Sequence, residues 1–246
     1  GRALGAAMGI DLVLSHQPSP PAALPLTLLS RRDYGADVQA PTAILRFALP
    51  AIPLWRRLVR HGFGRFRAGD LLGILPNGTT IPRFYSLASG RRDGFVEIVV
   101  KKHPGGLCSS QLFGLEPGDT INAFLRHNPG FYPGRGHTPL ILIGAGTGIG
   151  PLAGFVRANT RRRPIHLFFG MRHSTSDFLY DAELADWQRQ GHLRHLATAC
   201  SRGRMPRYVQ DVLCEEASEI VHLIIKGARV MVCGGRDMAA GVSAAL

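Results

Sequence analysis

The sequence predicts an antiparallel β-barrel followed by a parallel-sheet α/β domain, and two observations carry that expectation. From about residue 41 to 135, short apolar runs are punctuated by Gly-Asp, Asn-Gly and Pro-Gly turn signals, the texture of a small antiparallel barrel. After the stretch NPGFYPGRGHTP, apolar strands alternate with helical runs, which implies parallel pairing with crossover helices. The boundary falls near 134–138. The expected organisation is therefore a barrel domain over 1–135, whose first 40 residues are an irregular Pro/Ala-rich segment, and an α/β domain over 136–246. At 246 residues the chain is long enough for two ordinary domains.

In the barrel half the expected strands lie in TAILRFAL, FRAGDLLGILP, PRFYSLAS, GFVEIVVKKH and GLEPGDTINAFLR. LCSSQLFGL (107–115) is the expected helix there, with Ser109 or Ser110 as its cap. In the second half, LILIG leads to helix PLAGFVRAN, strand IHLFFG, helix TSDFLYDAELADWQRQ, strand LRHLATAC, helix RYVQDVLCEEASEI and strand RVMVCGG. No internal repeat is visible.

Composition narrows the class. Hydrophobic residues make up 45% of the chain, as in a globular protein, and no apolar run reaches the roughly 18 residues of a membrane span. The opening GRALGAAMGIDLVLSH lacks the features of a signal peptide. Because it starts with Gly, the chain reads as a piece of a longer protein or a processed one. The net charge of +12, from 29 basic and 17 acidic residues, is spread over pairs and triplets such as Arg56-Arg57 and Arg161 to Arg163. That pattern, without zinc-finger spacing or a basic run interleaved with aromatics, argues against nucleic-acid binding. The 4 cysteines form no C-x-x-C pair, so neither a disulfide scaffold nor a cysteine metal site is expected, and a reducing, cytoplasmic setting is the simple reading.

Residues 139–151, PLILIGAGTGIGP, run an apolar strand into a turn with Gly144, Gly146, Gly148 and Gly150, then Pro151. Such a turn opening a helix suits a phosphate, because glycines admit close backbone approach and the helix N-terminus favours an anion. It is not a Rossmann fingerprint. Ile149 stands where the third Gly belongs, and no acid follows until Asp177. Nor is it a Walker loop, which needs Gly-Lys-Ser/Thr.

Six separated motifs share an order: RFYS (83–86), GGLCS (105–109), GAGTGIGP, FFGMR with DFLY and EL, SRGRMPRYVQD, and CGGRDMA. Over about residues 40–246 this set resembles the ferredoxin–NADP⁺ reductase superfamily, most nearly its diflavin branch, which includes the flavoprotein subunit of sulfite reductase and the NADPH–cytochrome reductases. The resemblance implies an FAD-binding barrel and an NADP-binding α/β domain. It implies that Arg83 pairs with the flavin pyrophosphate as a fork donor, that Tyr85 stacks on the isoalloxazine, and that Ser86 lies near its N5, with Phe84 in the same strand motif. Gly106, Leu107, Cys108 and Ser109 correspond to the second flavin motif, at a helix start. Val99, Val100 and Lys101 match the strand lying along the flavin, although relatives often have an apolar residue at Lys101. Gly146, Thr147 and Gly148 would hold the nicotinamide nucleotide's phosphates. Ser201 and Arg202 would read the 2′-phosphate of NADPH, with Arg207 preferred over Arg204 as the further basic residue; Tyr208 would stack on adenine, and Gln210 belongs to the same motif. Cys233, followed by Gly234, matches the cysteine beside the nicotinamide C4. Ser86 and Cys233 are thus the expected catalytic pair, and no metal is expected. Asp177, Tyr180 and Glu183 correspond to a helix that packs the domain.

By that resemblance the protein is an NADPH-dependent flavoprotein reductase. Hydride would pass from NADPH to FAD, and single electrons would pass to a flavodoxin-like FMN domain, in cis or in trans, and on to a haem or other redox acceptor. The alternatives are a stand-alone NAD(P)H oxidase or flavin/ferric reductase, or a nucleotide-binding module with little turnover. Three departures from the branch stand out: there is no flavodoxin-like segment upstream, GDLLGILPNGTTIPRFYS leaves no room for a large helical insertion, and Leu246 is reached without the aromatic that covers the flavin in relatives.

Overall fold

The computed structural model describes residues 23–51, 62–202 and 204–246. Among them, β1 (Leu24–Tyr34), β2 (Thr42–Ala48), β3 (Leu71–Ile74), β4 (Arg83–Ser86), β5 (Phe95–Lys101) and β6 (Thr120–Arg126) form one antiparallel sheet in the order β4-β3-β6-β1-β2-β5. A bridge between Leu87 and Ile98 joins the chain just beyond β4 to β5, so the two edge strands meet and the sheet curls into a barrel. Its interior is filled by Leu26, Leu45, Phe47, Leu72 and Ile98, all inaccessible to solvent. Cys108 and Leu112 of helix α1 (Leu107–Phe113) pack into the same core.

β1 corrects the sequence expectation, which put an irregular segment through residue 40. The Pro/Ala-rich texture ends at Pro25; from there Leu26 and Leu28 alternate into the barrel and the strand pairs with both β2 and β6. Residues 1–22, the rest of that expectation, lie outside the described residues.

A second sheet, of parallel strands, has the order β10-β7-β8-β9, built from β7 (Leu140–Ala145), β8 (Ile165–Met171), β9 (His195–Cys200) and β10 (Arg229–Cys233). β8 is buried at every residue, as expected of a strand covered by helices on both faces. The helices are α2 (Ile149–Arg157), α3 (Asp181–Arg189), α4 (Val209–Glu215), α5 (Ala217–Ile225) and α6 (Arg236–Ala245). Three boundaries differ from those expected. Helix α3 starts only at Asp181, because the Asp177 carboxylate accepts the Arg172 and His173 N–H groups at 3.0 and 2.7 Å, and Tyr180 adopts φ +61°. The run 207–220 contains α4 and the start of a second helix, α5, interrupted at Glu216, where φ −99° and ψ 19° leave the helical region. Gly106, not a serine, is the N-cap of α1; Ser109 sits in the first turn, accepting the His103 N–H and donating to the Gly106 carbonyl, each at 3.2 Å.

The two sheets are joined by a packed seam. Helix α2 presents glycines to the barrel: a Cβ at Gly154 would lie 2.6 Å from both the Ala68 Cβ and the Ala88 carbonyl oxygen, and one at Gly150 would lie 3.0 Å from Val99. Beside this contact sits Glu97 of β5, fully buried. Its carboxylate accepts from Arg46 at 2.7 and 2.9 Å, from Arg157 of α2 at 2.6 Å, and from the Tyr180 hydroxyl at 3.1 Å. Burial, and then Glu97, hold that hydroxyl protonated well above its ordinary range. Burial alone would lower the Arg157 pKa, but Glu97 outweighs it and the net direction is up. Arg32 of β1 and Glu183 of α3 add a second ion pair across the seam, at 2.5 Å.

Candidate functional site

Two regions carry the motif residues. The first lies where β4 meets the start of α1. Register pairs Tyr85 with Leu72 and Ser86 with Leu71, which leaves both half-buried. The Tyr85 hydroxyl is hydrogen-bonded to Cys108, and burial followed by this bond drives its pKa up; burial likewise raises that of Cys108. Both groups are therefore neutral at physiological pH, and the bond ties RFYS to GGLCS. Arg83 is exposed, and among the described residues its guanidinium has no hydrogen bond or ion pair. Phe84 is exposed, edge-on to Phe124 at 5.9 Å, with the Arg126 guanidinium 5.4 Å from its ring centre. Gly106 holds a tight turn: a Cβ there would stand 2.6 Å from the Ser109 Oγ. Leu107 is exposed and Ser109 buried. An unpaired guanidinium beside the free N–H groups of a helix's first turn is a donor set that fits a diphosphate.

The second region is a cavity of about 370 Å³ between the barrel and the parallel sheet. Of the residues singled out from sequence, Lys101, Gly146, Thr147, Ser201, Arg207, Tyr208 and Gln210 line it. The C-terminal ends of β7, β8 and β9 and the start of α4 bring them together, the crevice where open α/β sheets bind ligands. Gly146 has φ +53°, open space on its Cβ side, and Thr147 beside it. Gly148 is buried for a different reason: a Cβ there would fall 2.0 Å from the Cys233 carbonyl oxygen. The glycine turn is thus clamped to the end of β10. Ile149, at the third-glycine position of the Rossmann pattern, is buried in the core beneath.

Other expected residues sit elsewhere. Arg202 and Arg204 are exposed and do not line the cavity. Arg207 does, and its guanidinium pairs with Glu215. Val100 points into the barrel core, whereas Val99 packs on the seam, as strand alternation requires. Gly234 is exposed, with Met238 over it. Cys233 is half-buried next to the glycine turn, and burial pushes its thiol up to about 11. The thiol therefore stays protonated, and its contribution to stability, full below its ordinary value of 9.0, is lost as pH rises towards about 11.

The cavity also recruits residues to which the sequence gave no binding role: Ala40 and Thr42 from the barrel, Arg172 and Asp177 after β8, and Asp237 and Met238 of α6. Arg172, Asp177, Asp237 and Met238 fall within the FFGMR, DFLY and CGGRDMA motifs; Ala40 and Thr42 carry no such signal and depend on how the sheets dock. A larger cavity, about 480 Å³, lies among Arg67, Asp70, Asn128 and Tyr132 and contains none of the motif residues. Its Asp70 carboxylate is filled by the Arg67 and Asn128 N–H groups and His127. Among the described residues no cluster of metal-ligating side chains occurs, and no helix is long and apolar enough to cross a membrane.

Comparison with known proteins agrees with this geometry. Residues 36–124 match the oxidoreductase FAD-binding domain family and residues 142–244 the oxidoreductase NAD-binding domain family. The chain is 36% identical over 206 residues to the sulfite reductase [NADPH] flavoprotein alpha-component of Pectobacterium atrosepticum, covering 77% of this chain and 34% of that protein. It is 34% identical over 193 residues to the Serratia proteamaculans counterpart, covering 72% and 32%. The chain thus spans about a third of the length of these relatives. Among solved structures, ferredoxin-NADP+ reductase from Plasmodium falciparum superposes with a TM-score of 0.74 at 20% identity, covering 91% of this chain and 90% of that one. The same enzyme with 2'P-AMP also gives 0.74, at 18% identity. At such identities the likeness speaks to fold: a six-stranded antiparallel sheet followed by a four-stranded parallel one, as in this chain.

Proposed function

Because this chain belongs to the ferredoxin–NADP⁺ reductase superfamily, in its diflavin-reductase branch, we propose that it is the FAD- and NADPH-binding module of an NADPH-dependent flavoprotein reductase of the sulfite-reductase type. One observation carries the reading. Four separated stretches, at 101, 146–147, 201 and 207–210, converge on a single cavity.

Bound FAD supplies acceptance of a hydride and release of its electrons one at a time. The protein's own residues bind and orient. Arg83 and the first turn of α1 would hold the flavin's diphosphate. Tyr85, fixed by its bond to Cys108, would offer a flat face to the ring system, and Ser86 would offer a hydroxyl. The glycine turn with Thr147 receives the diphosphate of NADPH. Ser201 and Arg207 receive the 2′-phosphate, and Tyr208, whose ring is 56% exposed, is available to stack on adenine. Cys233 is a neutral thiol that positions the nicotinamide and donates no electrons. The acceptor we infer for such a module is a flavodoxin-like FMN domain, in the same protein or a partner, with a haem protein beyond it. The net charge of +12 favours docking to an acidic surface of that kind; an acceptor rate insensitive to ionic strength would count against this partner.

The deciding experiment is an absorbance spectrum of the purified protein, followed by anaerobic titration with NADPH and with NADH. A yellow protein bleached by NADPH at far lower concentration than NADH is expected. A colourless protein that takes up no added FAD would overturn the reading. Within the site, Cys233→Ala should slow flavin bleaching at saturating NADPH by about tenfold, roughly 1.4 kcal/mol of nicotinamide alignment, with little change in nucleotide affinity. Since the thiol stays protonated, that rate should show no inflection from Cys233 between about pH 6 and pH 9. Stopped-flow traces across that range check both points.

A further inference from the structure

A second cavity, apart from every motif residue, measures about 480 Å³, within the usual size of a small-molecule site. Two segments wall it, residues 65–70 ahead of β3 and 127–132 after β6. One buried side chain, Asp70, ties them together. Its carboxylate accepts the Arg67 N–H of its own segment at 3.0 Å and the Asn128 N–H of the other at 3.0 Å, with the His127 Nδ1 at 3.2 Å. The Asn128 side-chain amide donates in return to the Gly69 carbonyl at 3.1 Å. Gly69 has φ +86°, and a Cβ there would stand 2.6 Å from the Phe131 carbonyl oxygen, so the two segments meet backbone to backbone. The walls are thus tied before any ligand arrives, which spares a ligand the cost of ordering them.

The chemistry of the lining says what would fill it. Arg65 and Arg67 both line the cavity, and among the described residues neither guanidinium has a hydrogen bond or ion pair. The acid beside them, Asp70, is already held by two backbone N–H groups and His127. Arg67 lies over the Tyr132 ring, 4.7 Å from its centre. Such stacking restrains a guanidinium yet leaves its N–H donors, which lie in its own plane, for an acceptor. Two guanidiniums with no uncommitted carboxylate between them favour an oxyanion of more than one charge. The rest of the wall is apolar: Ala68, Pro129 and Phe131, whose ring packs on Phe155 of α2 at 5.7 Å. Inorganic phosphate would leave that wall uncovered and most of the volume empty. We propose that this cavity binds an aromatic phosphate monoester, with its dianion on Arg65 and Arg67 and its ring against Pro129 and Phe131. The site shares no residue with the cofactor motifs, so the proposal stands apart from the functional reading above.

Titration calorimetry with phenyl phosphate tests it, on FAD-loaded protein kept in saturating NADP⁺ so that the cofactor sites are filled. Binding should persist under those conditions and be about tenfold tighter than that of inorganic phosphate, which lacks the ring. Arg67→Gln should weaken phenyl phosphate about tenfold, and Arg65→Gln by a similar factor. Both variants should keep the FAD content, NADP⁺ affinity and melting temperature of the unsubstituted protein; if one fails to fold, the other decides. Binding that disappears once NADP⁺ is present overturns the proposal, because the anion would then belong to the nucleotide cavity. So does unchanged affinity in the folded arginine variants, or inorganic phosphate binding as tightly as phenyl phosphate. Failure to take up FAD or NADP⁺ would instead sink the functional reading, and the arginine variants would still decide this one.

Discussion

Replacing Glu97 with alanine is expected to destabilise the protein by about 3–5 kcal/mol, the cost of leaving buried charges without their partner. The carboxylate is fully buried and is shared by Arg46 of the barrel, Arg157 of α2 and the Tyr180 hydroxyl. Its removal takes the close carboxylate from two guanidiniums that also lie over the Phe95 ring, at 4.1 and 5.3 Å from its centre, leaving Arg157 only the Ala88 carbonyl and the more distant Asp93, and leaves a buried hydroxyl without its acceptor. Urea unfolding followed by tryptophan fluorescence and circular dichroism measures the loss; the two probes should report the same midpoint shift. Combining Glu97→Ala with Arg157→Leu should recover part of it, because the second change removes one of the unpaired charges. A loss below about 1 kcal/mol for the single variant would mean that water reaches the two arginines and that the seam does not depend on this carboxylate.

The largest expected functional effect belongs to Gly148→Ala. A methyl at that position would stand 2.0 Å from the Cys233 carbonyl oxygen, 2.6 Å from its carbon and 3.1 Å from the Gly234 nitrogen. All three are backbone atoms, so no side chain can rotate out of the way, and the glycine turn and the end of β10 must separate. A shift of roughly an ångström in a positioning element costs about 100-fold in rate, and here it moves the nucleotide loop and Cys233 together. NADPH-driven bleaching should therefore fall by about two orders of magnitude, while FAD, held on the barrel side, stays bound at full occupancy. Gly146→Ala is the informative control. Nothing lies within 4 Å of its added methyl, and its φ of +53° is the only obstacle, worth about 1–2 kcal/mol. Stopped-flow reduction of the two variants side by side should rank them strongly apart, and near-equal rates would show that the contact with β10 is not what orders the turn.

Much of this arrangement was legible in the chain itself, for identifiable reasons. The runs LILIG and IHLFFG, each followed by a helical stretch, announce strands of a parallel sheet, and both are strands of that sheet. RFYS falls on a barrel strand because alternation and turn signals bracket it. What escaped depends on partners distant in sequence. β1 reads as irregular through residue 40 until β2 and β6 are there to pair with it. Tyr180 looks like a helical residue, yet its hydroxyl donates to Glu97, 83 positions earlier, from a left-handed backbone. Lys101 looks like one end of an ordinary strand; only the docked sheets show the cavity it faces. Arg202 carries a motif signal, and the fold leaves it outside the cavity lining.

Helix α2 begins at the glycine turn and lies along the barrel through Gly150 and Gly154, where a single methyl would collide with Val99 or Ala88. On the functional reading proposed above, its near end would serve one cofactor and its flank the domain of the other. Any free energy with which one bound ligand orders this helix would then be felt at the second site, and reciprocity would oblige the second ligand to act on the first by the same factor.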